Sequence, residues 1–198
     1  MALKVITPPA VEPVSLTETK LHLRVDGAAE DTLISGLIQA AREHIENVLT
    51  HCALCTQTLE YVISQFPDDC EAIQVPRPPL QSVTSIKYTD SADVVHTMDA
   101  GDYCVNTDGN PGLVTPAYGL SWPSVSLASS GAVRIRYVAG WGLADAAPQS
   151  LKQAILLLVG HLYENRAVMV NSQVQGEMPF AVSALCDGYM CFMWGMED

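Results

Sequence analysis

Apolar residues recur with helical spacing near both ends of the chain and with strand spacing between them. From Glu30 to Thr50, at about 100° per residue, Leu33, Ile34, Leu37, Ile38, Ala41, Ile45, Val48 and Leu49 fall within an arc of roughly 160°. Ser35, Gln39, Arg42, Glu43, Glu46 and Asn47 fill the remaining face, so the pattern predicts a surface helix with one buried stripe. Ahead of it, Ser15-Leu16-Thr17-Glu18 has the capping-box form, in which side-chain oxygens satisfy the orphan amides of a helix start. A short helix from Thr17 to Arg24 follows, stopped at the turn signal Asp26-Gly27. Near the other end, Pro148 suits the first turn of a helix. From Leu151 to Arg166 apolar residues almost encircle the axis: Leu151, Ile155, Leu158, Val159, Leu162 and Tyr163 make the main face, Leu156 widens it, and Leu157 lies nearly opposite. A helix apolar on most sides needs cover on two of them. One cover is its own core; the other is a neighbouring subunit or the β-rich region, which makes Leu156, Leu157 and His161 the subunit-interface candidates. Ala167 to Met178 reads as a flexible loop, and Phe180 to Asp187 as a short last helix ending at Gly188.

Between Cys55 and Trp141 the period changes. Thr, Val, Ile and Tyr become frequent, and Pro, Gly, Asn and Asp interrupt them every 8–12 residues or so, the pattern of an all-β region. Seven strands are predicted, at 57–64, 72–75, 83–89, 94–98, 103–106, 112–115 and 132–138. Asp108-Gly109-Asn110-Pro111-Gly112 is a turn, and Pro76-Arg77-Pro78-Pro79 cannot continue a ladder. Residues 118–131, rich in Ser, Gly and Pro, read as a long surface connection. The expectation is an α+β fold: a helical core from N- and C-terminal helices (1–54 and 146–188), an inserted antiparallel β-rich region (55–145), and an apolar tail (189–198).

Composition adds exclusions. A chain of 198 residues with 48% hydrophobic and 16% charged residues is globular and of single-domain size, or one domain with an insertion. Its net charge of −12 argues against gripping nucleic acid through phosphate neutralisation. The first ten residues are too short and too early broken by Pro8-Pro9 for a secretory signal, and no run approaches the ~18 apolar residues of a membrane span. The six cysteines, at 52, 55, 70, 104, 186 and 191, are therefore expected to stay reduced. Cys52-Ala53-Leu54-Cys55 is a lone CxxC without the second ligand pair that a structural zinc site needs. No GxSxG, HExxH or GxxxxGK[ST] is present, and the five histidines are scattered over unlike elements. No catalytic, cofactor-binding or metal-ligating residues are therefore expected.

The last residues are the exception to an uneventful surface. Gly188-Tyr189-Met190-Cys191-Phe192-Met193-Trp194-Gly195-Met196-Glu197-Asp198 is rich in Met and aromatics, whereas termini are ordinarily polar and frayed. Such a tail either folds back on its own core or docks into a partner.

Taken in order, several blocks resemble the head–tail connector (adaptor) family of tailed bacteriophages. They are Leu3-Lys4-Val5-Ile6-Thr7-Pro8-Pro9, Val14-Ser15-Leu16-Thr17-Glu18, His22-Leu23-Arg24-Val25-Asp26, and the helix opened by Glu30-Asp31 with Ile34, Leu37, Ile38, Ala41 and Arg42. Further on come Pro79-Leu80-Gln81-Ser82-Val83-Thr84-Ser85-Ile86-Lys87-Tyr88, Val133-Arg134-Ile135-Arg136-Tyr137-Val138-Ala139-Gly140-Trp141-Gly142, and Leu151-Lys152-Gln153-Ala154 running to Tyr163-Glu164-Asn165-Arg166. The resemblance covers about residues 4 to 190 and rests on order and spacing. It implies a non-enzymatic virion protein, assembled in the host cytoplasm and placed in the neck. There a dodecameric ring of copies sits beneath the portal protein, carries a stopper or tail-completion protein, and lets double-stranded DNA pass without specific binding. The family's habit of docking C-terminal segments into the portal makes Tyr189, Met190, Phe192, Met193, Trp194 and Met196 the candidate docking residues. Two alternatives are a stopper or tail-completion protein of the same neck and, in another class, a small ligand- or metal-binding domain.

Overall fold

The computed structural model describes residues 1–68, 70–165 and 180–191. It shows the expected α+β class, with α-helices and two antiparallel sheets gathered into two compact units.

The helical unit is drawn from residues 11–55 and 141–190. Its elements are α1 (Leu16–Leu23), α2 (Asp31–His44) running into a π-helical turn (Ile45–Leu49), α3 (Gln149–Glu164) and α4 (Phe180–Cys186). Ser15 caps α1 as its sequence implies, its Oγ accepting the Glu18 N–H at 3.1 Å. The helix ends at Arg24, which takes a left-handed conformation (φ 57°) while the Arg24 and Val25 amides close onto Leu21 and Lys20. Ile34, Ile38, Ala41 and Ile45 from α2 meet Leu151, Ala154, Ile155 and Val159 from α3, with Val182 and Cys186 from α4. The buried stripe of α2 is narrower than the sequence arc, because Leu33 and Val48 are exposed. At Val48 the cause is the π turn, which carries an extra residue and shifts the helical phase. Arg166 and the expected loop from Ala167 to Met178 lie outside the described residues.

The polar face of α2 is the larger departure. Arg42 and Glu46, expected in solvent, are 5% and 1% exposed. Arg42 Nη1 donates to Glu46 Oε2 at 2.9 Å and its Nε to Glu12 Oε2 at 2.8 Å, while Glu46 Oε1 accepts the Leu54 N–H at 2.7 Å. Burial works against the charged guanidinium, yet the bond to Glu12 and the Glu46 carboxylate outweigh it and hold Arg42 above its ordinary pKa.

The β unit holds residues 1–10 and 56–140. Its strands are β1 (Ala2–Thr7), β2 (Gln57–Ile63), β3 (Ile73–Val75), β4 (Leu80–Thr89), β5 (Val95–Thr97), β6 (Tyr103–Asn106), β7 (Gly112–Pro116) and β8 (Val133–Ala139). Seven match the predicted strands to within a few residues at either end. The eighth, β1, was not expected, and it pairs antiparallel with β2 as the edge of a five-stranded sheet ordered β1-β2-β8-β4-β5. A second sheet, β3-β7-β6, lies at Gly112 against Leu80 of the first. Alternation along β2 and β8 puts Leu59, Tyr61, Ile63, Val133, Ile135 and Tyr137 inside, joined by Ile86 of β4, whose register shifts twice. The Tyr137 hydroxyl donates to the Pro76 carbonyl at 2.6 Å, tying β8 to the proline loop. The 118–131 connection is anchored as well as exposed. Trp122 is buried, stacks on Phe66 at 5.2 Å, and donates its indole N–H to the Glu71 carbonyl at 2.8 Å.

Two substitutions test this packing. A Cβ at Gly112 would stand 2.5 Å from the Leu80 Cβ, so Gly112→Ala should cost about 1–3 kcal/mol by overpacking. Arg42→Met leaves the Glu46 carboxylate buried without its cation and should cost about 3–5 kcal/mol. Adding Glu46→Gln keeps an acceptor for Leu54 and should return part of that loss. Urea unfolding measures all three; an Arg42→Met cost near zero would show the pair to be solvated.

Candidate assembly surfaces

The candidates read from the sequence are interface and docking residues. Among the described residues, no group of three or more His, Cys, Asp or Glu is placed to hold a metal ion. The CxxC thiols are packed in the turn that follows the π-helical segment, with Cys52, Ala53, Leu54 and Cys55 all buried. Burial, reinforced by the Glu46 carboxylate, pushes the Cys55 thiol up to about 11. Burial does the same to Cys186, also to about 11, so neither is a thiolate near neutral pH. Both behave as small core hydrophobes.

The interface candidates of α3 separate by environment. Leu156 is buried within the helical unit's own core. Leu157 is only partly covered there, and His161 is half-exposed beside Asn165, whose side-chain amide donates to the His161 carbonyl at 2.8 Å. Leu157 and His161 therefore keep accessible surface, and Leu156 does not. No described helix is long and apolar enough to cross a membrane.

The tail candidates divide in the same way. Tyr189 is half-buried, its ring edge-on to Trp141 at 5.9 Å, and its carbonyl accepts from the Cys52 thiol at 3.2 Å. Met190, one residue on, is 40% exposed. Phe192, Met193, Trp194 and Met196 lie outside the described residues. Sequence reasoning passed over Phe180, which opens α4 and is 87% exposed. Its signal was present, an aromatic at a helix start with no polar residue within two positions on either side.

A third surface is charged. On the outward face of the five-stranded sheet, Glu60 is flanked by its cross-strand partners Lys4 and Arg136, and Lys87 stands opposite Arg134. Glu60, Ser85, Lys87, Thr89, Val95, Arg134 and Arg136 line a shallow hollow of about 250 Å³. Arg136 Nη2 donates to Glu60 Oε2 at 2.8 Å, so the one acid of this group is already committed.

These features accord with what comparison finds. Residues 13–92 match the family described as phage gp6-like head-tail connector protein. No curated protein matches the sequence. Among solved structures, the chain is 26% identical to a chain in the neck of an empty gene transfer agent particle computed with C6 symmetry. The TM-score is 0.78, with 98% of this chain and 97% of that one covered. A chain in the virion of the native gene transfer agent particle gives the same identity, score and coverage. A third, from the neck of the native particle computed with C12 symmetry, is 25% identical with a TM-score of 0.74, over the same shares of the two chains. The resemblance read from the ordered sequence blocks is thus borne out: over residues 13–92 this chain is a match to the phage gp6-like head–tail connector family.

Proposed function

We propose that the chain is a structural protein of a virion neck, in which copies form a ring that docks on the portal, connects the head to the tail and surrounds part of the DNA path. The observation that carries the proposal is similarity along nearly the whole chain to neck chains of gene transfer agent particles. That likeness covers 98% of this chain and 97% of the neck chain. The C12 symmetry of one of those necks supports twelve copies. Buried, protonated thiols at Cys55 and Cys186 support a structural rather than a nucleophilic role.

Two surfaces serve the two kinds of contact in this reading. The face of α3 bearing Leu157 and His161 packs against a neighbouring copy, since it retains apolar surface after the chain's own core is complete. Met190 and the residues beyond it dock on the portal, with Phe192 and Trp194 as anchors; two rings each burying 150–250 Å² provide several kcal/mol at ~25 cal/mol/Å². The acidic chain, at −12 per copy, favours a channel through which DNA phosphates slide.

The experiment is co-expression with the portal protein of the same genome, followed by native mass measurement of the complex. The expected species carries twelve copies of this chain on the portal; a monomer that never co-purifies with portal overturns the proposal. Leu157→Asp should cost about 1–3 kcal/mol in the isolated chain and reduce assembly more than it reduces stability. The informative truncation ends at Cys191, because Tyr189 belongs to the packing around Trp141 and Cys52. The truncated chain should keep its melting temperature and lose portal binding. Unchanged binding would remove the tail from the docking role.

A further inference from the structure

A chain of net charge −12 faces a difficulty in meeting copies of itself, because like-charged molecules repel unless opposite charges coincide where they touch. Its cations are few, and their placement is uneven. Four of the ten Lys and Arg residues, Lys4, Lys87, Arg134 and Arg136, stand on the outward face of the five-stranded sheet. All four are exposed, and the register places them in two neighbouring rows: Lys4, Glu60, Arg136 and Ser85 in one, Val62, Arg134, Lys87 and Thr97 in the next. Glu60 is bonded to Arg136, so the surplus positive charge rests on Lys4, Lys87 and Arg134.

The complement is carried by the same unit. From Tyr88 to Val133 the chain has no Lys or Arg and five aspartates: Asp90, Asp93, Asp99, Asp102 and Asp108. These lie in the turns that flank β5 and β6, each an edge strand of its sheet. Asp90 is engaged with His96 at 2.8 Å and with the amides of Ala92 and Val94. Asp93, Asp99, Asp102 and Asp108 are exposed. Asp99 and Asp102 share one turn, the Asp102 N–H donating to the Asp99 carbonyl at 3.0 Å, so one unit presents a cationic face and exposed acidic turns.

We infer that the cationic sheet face of one copy receives the aspartate-rich turns flanking β5 and β6 of a second copy, an electrostatic contact between β units that adds to the apolar contact of α3. The inference rests on the ring reading above. Where each copy gives its face to one neighbour and its acidic turns to the other, the contact is heterologous, the kind that propagates around a ring. Duplex DNA is the weaker occupant: its phosphates would meet the field of the whole −12 chain, whereas the second copy brings exposed turns from a stretch of chain, 88–133, that holds no Lys or Arg.

The test reverses each patch and then both, in the full-length chain. Lys87→Glu with Arg134→Glu leaves the Arg136–Glu60 pair intact, and Asp99→Lys with Asp102→Lys changes exposed turn residues only. Sedimentation at low salt reads the concentration for half-assembly, and circular dichroism melts confirm that each variant folds. Either pair alone should raise that concentration about tenfold or more, and the wild-type value should rise with salt as surface charges are screened. The chain carrying all four substitutions restores opposite charges in reversed sense and should assemble within about threefold of wild type. Wild-type assembly by the Lys87/Arg134 variant, or no rescue by the fourfold variant, overturns the contact. So does DNA retention lost in that variant while assembly is unchanged, which would assign the face to nucleic acid. A wild-type chain that stays monomeric at low salt and high concentration also overturns it, and the portal co-purification still decides the neck reading separately.

Discussion

The buried Arg42–Glu46 pair sets the conformation of the segment through which the chain leaves the helical unit. The π-helical turn at Ile45–Leu49 is followed by a stretch in which Cys52, Ala53, Leu54 and Cys55 are all buried. Backbone amides in such a stretch need partners, because an unpaired buried N–H costs as much as a lost hydrogen bond. Glu46 supplies one to Leu54, and Thr50 Oγ1 supplies another, donating to the Ile45 carbonyl at 3.0 Å and accepting the Cys52 N–H at 3.3 Å. Arg42 lies 2.9 Å from the Glu46 carboxylate and offsets the cost of burying it, and Arg42 is held in turn by Glu12 on the segment before α1. One ion network therefore fixes the end of α2, the incoming strand of chain and the outgoing turn. It also accounts for the CxxC, whose cysteines are part of a packed exit, and in which burial and the Glu46 carboxylate keep the Cys55 thiol protonated.

That network marks the limit of what periodicity could show. Helical spacing assigns Arg42 and Glu46 to a solvated face, since nothing in one helix reveals that Glu12 and the amide of Leu54 will meet them. The same reasoning succeeded where the signal was local. Ser15 and Glu18 form their cap from residues three apart, and β6 and β7 follow from the turn at Asp108–Gly112 that separates them. It failed at β1, where a short apolar run ending at two prolines gave no strand signal of its own. What makes Ala2–Thr7 a strand is β2, more than fifty residues away, whose edge it completes. The π turn escaped for a related reason. Val48 fits the apolar arc of a regular helix and leaves it only when the extra residue rotates the phase.

The candidate surfaces were legible in proportion to how far composition alone marks them. Leu157 stood out because a helix apolar all round has more apolar surface than one core covers, and the structure leaves it partly uncovered. Leu156 carried the same signal, yet the chain's own core takes it. Composition cannot distinguish a residue that ends in the core from one left at its edge, because both are leucines on one helix. The cationic sheet face gave no signal at all. Lys4, Lys87, Arg134 and Arg136 come from three strands far apart in sequence, and only the register of β1, β2, β8 and β4 brings them together.

That juxtaposition bears on how an acidic protein assembles without gripping the polymer it surrounds in the proposed role. Spreading ten cations evenly over the surface would weaken repulsion between copies everywhere and would offer DNA phosphates many scattered contacts. Concentrating four of them on one sheet face leaves the remaining surface more anionic than the net charge suggests. If that face is covered by the neighbouring copy's aspartates, the assembled ring presents almost none of it to DNA. The contact then spends the positive charge where copies must attract and withholds it where DNA must slide. Because Debye screening weakens exposed pairs at physiological salt, such a contact orients copies more than it holds them. The holding energy has to come from buried apolar area, and the uncovered side of α3 is where the helical unit has it to give.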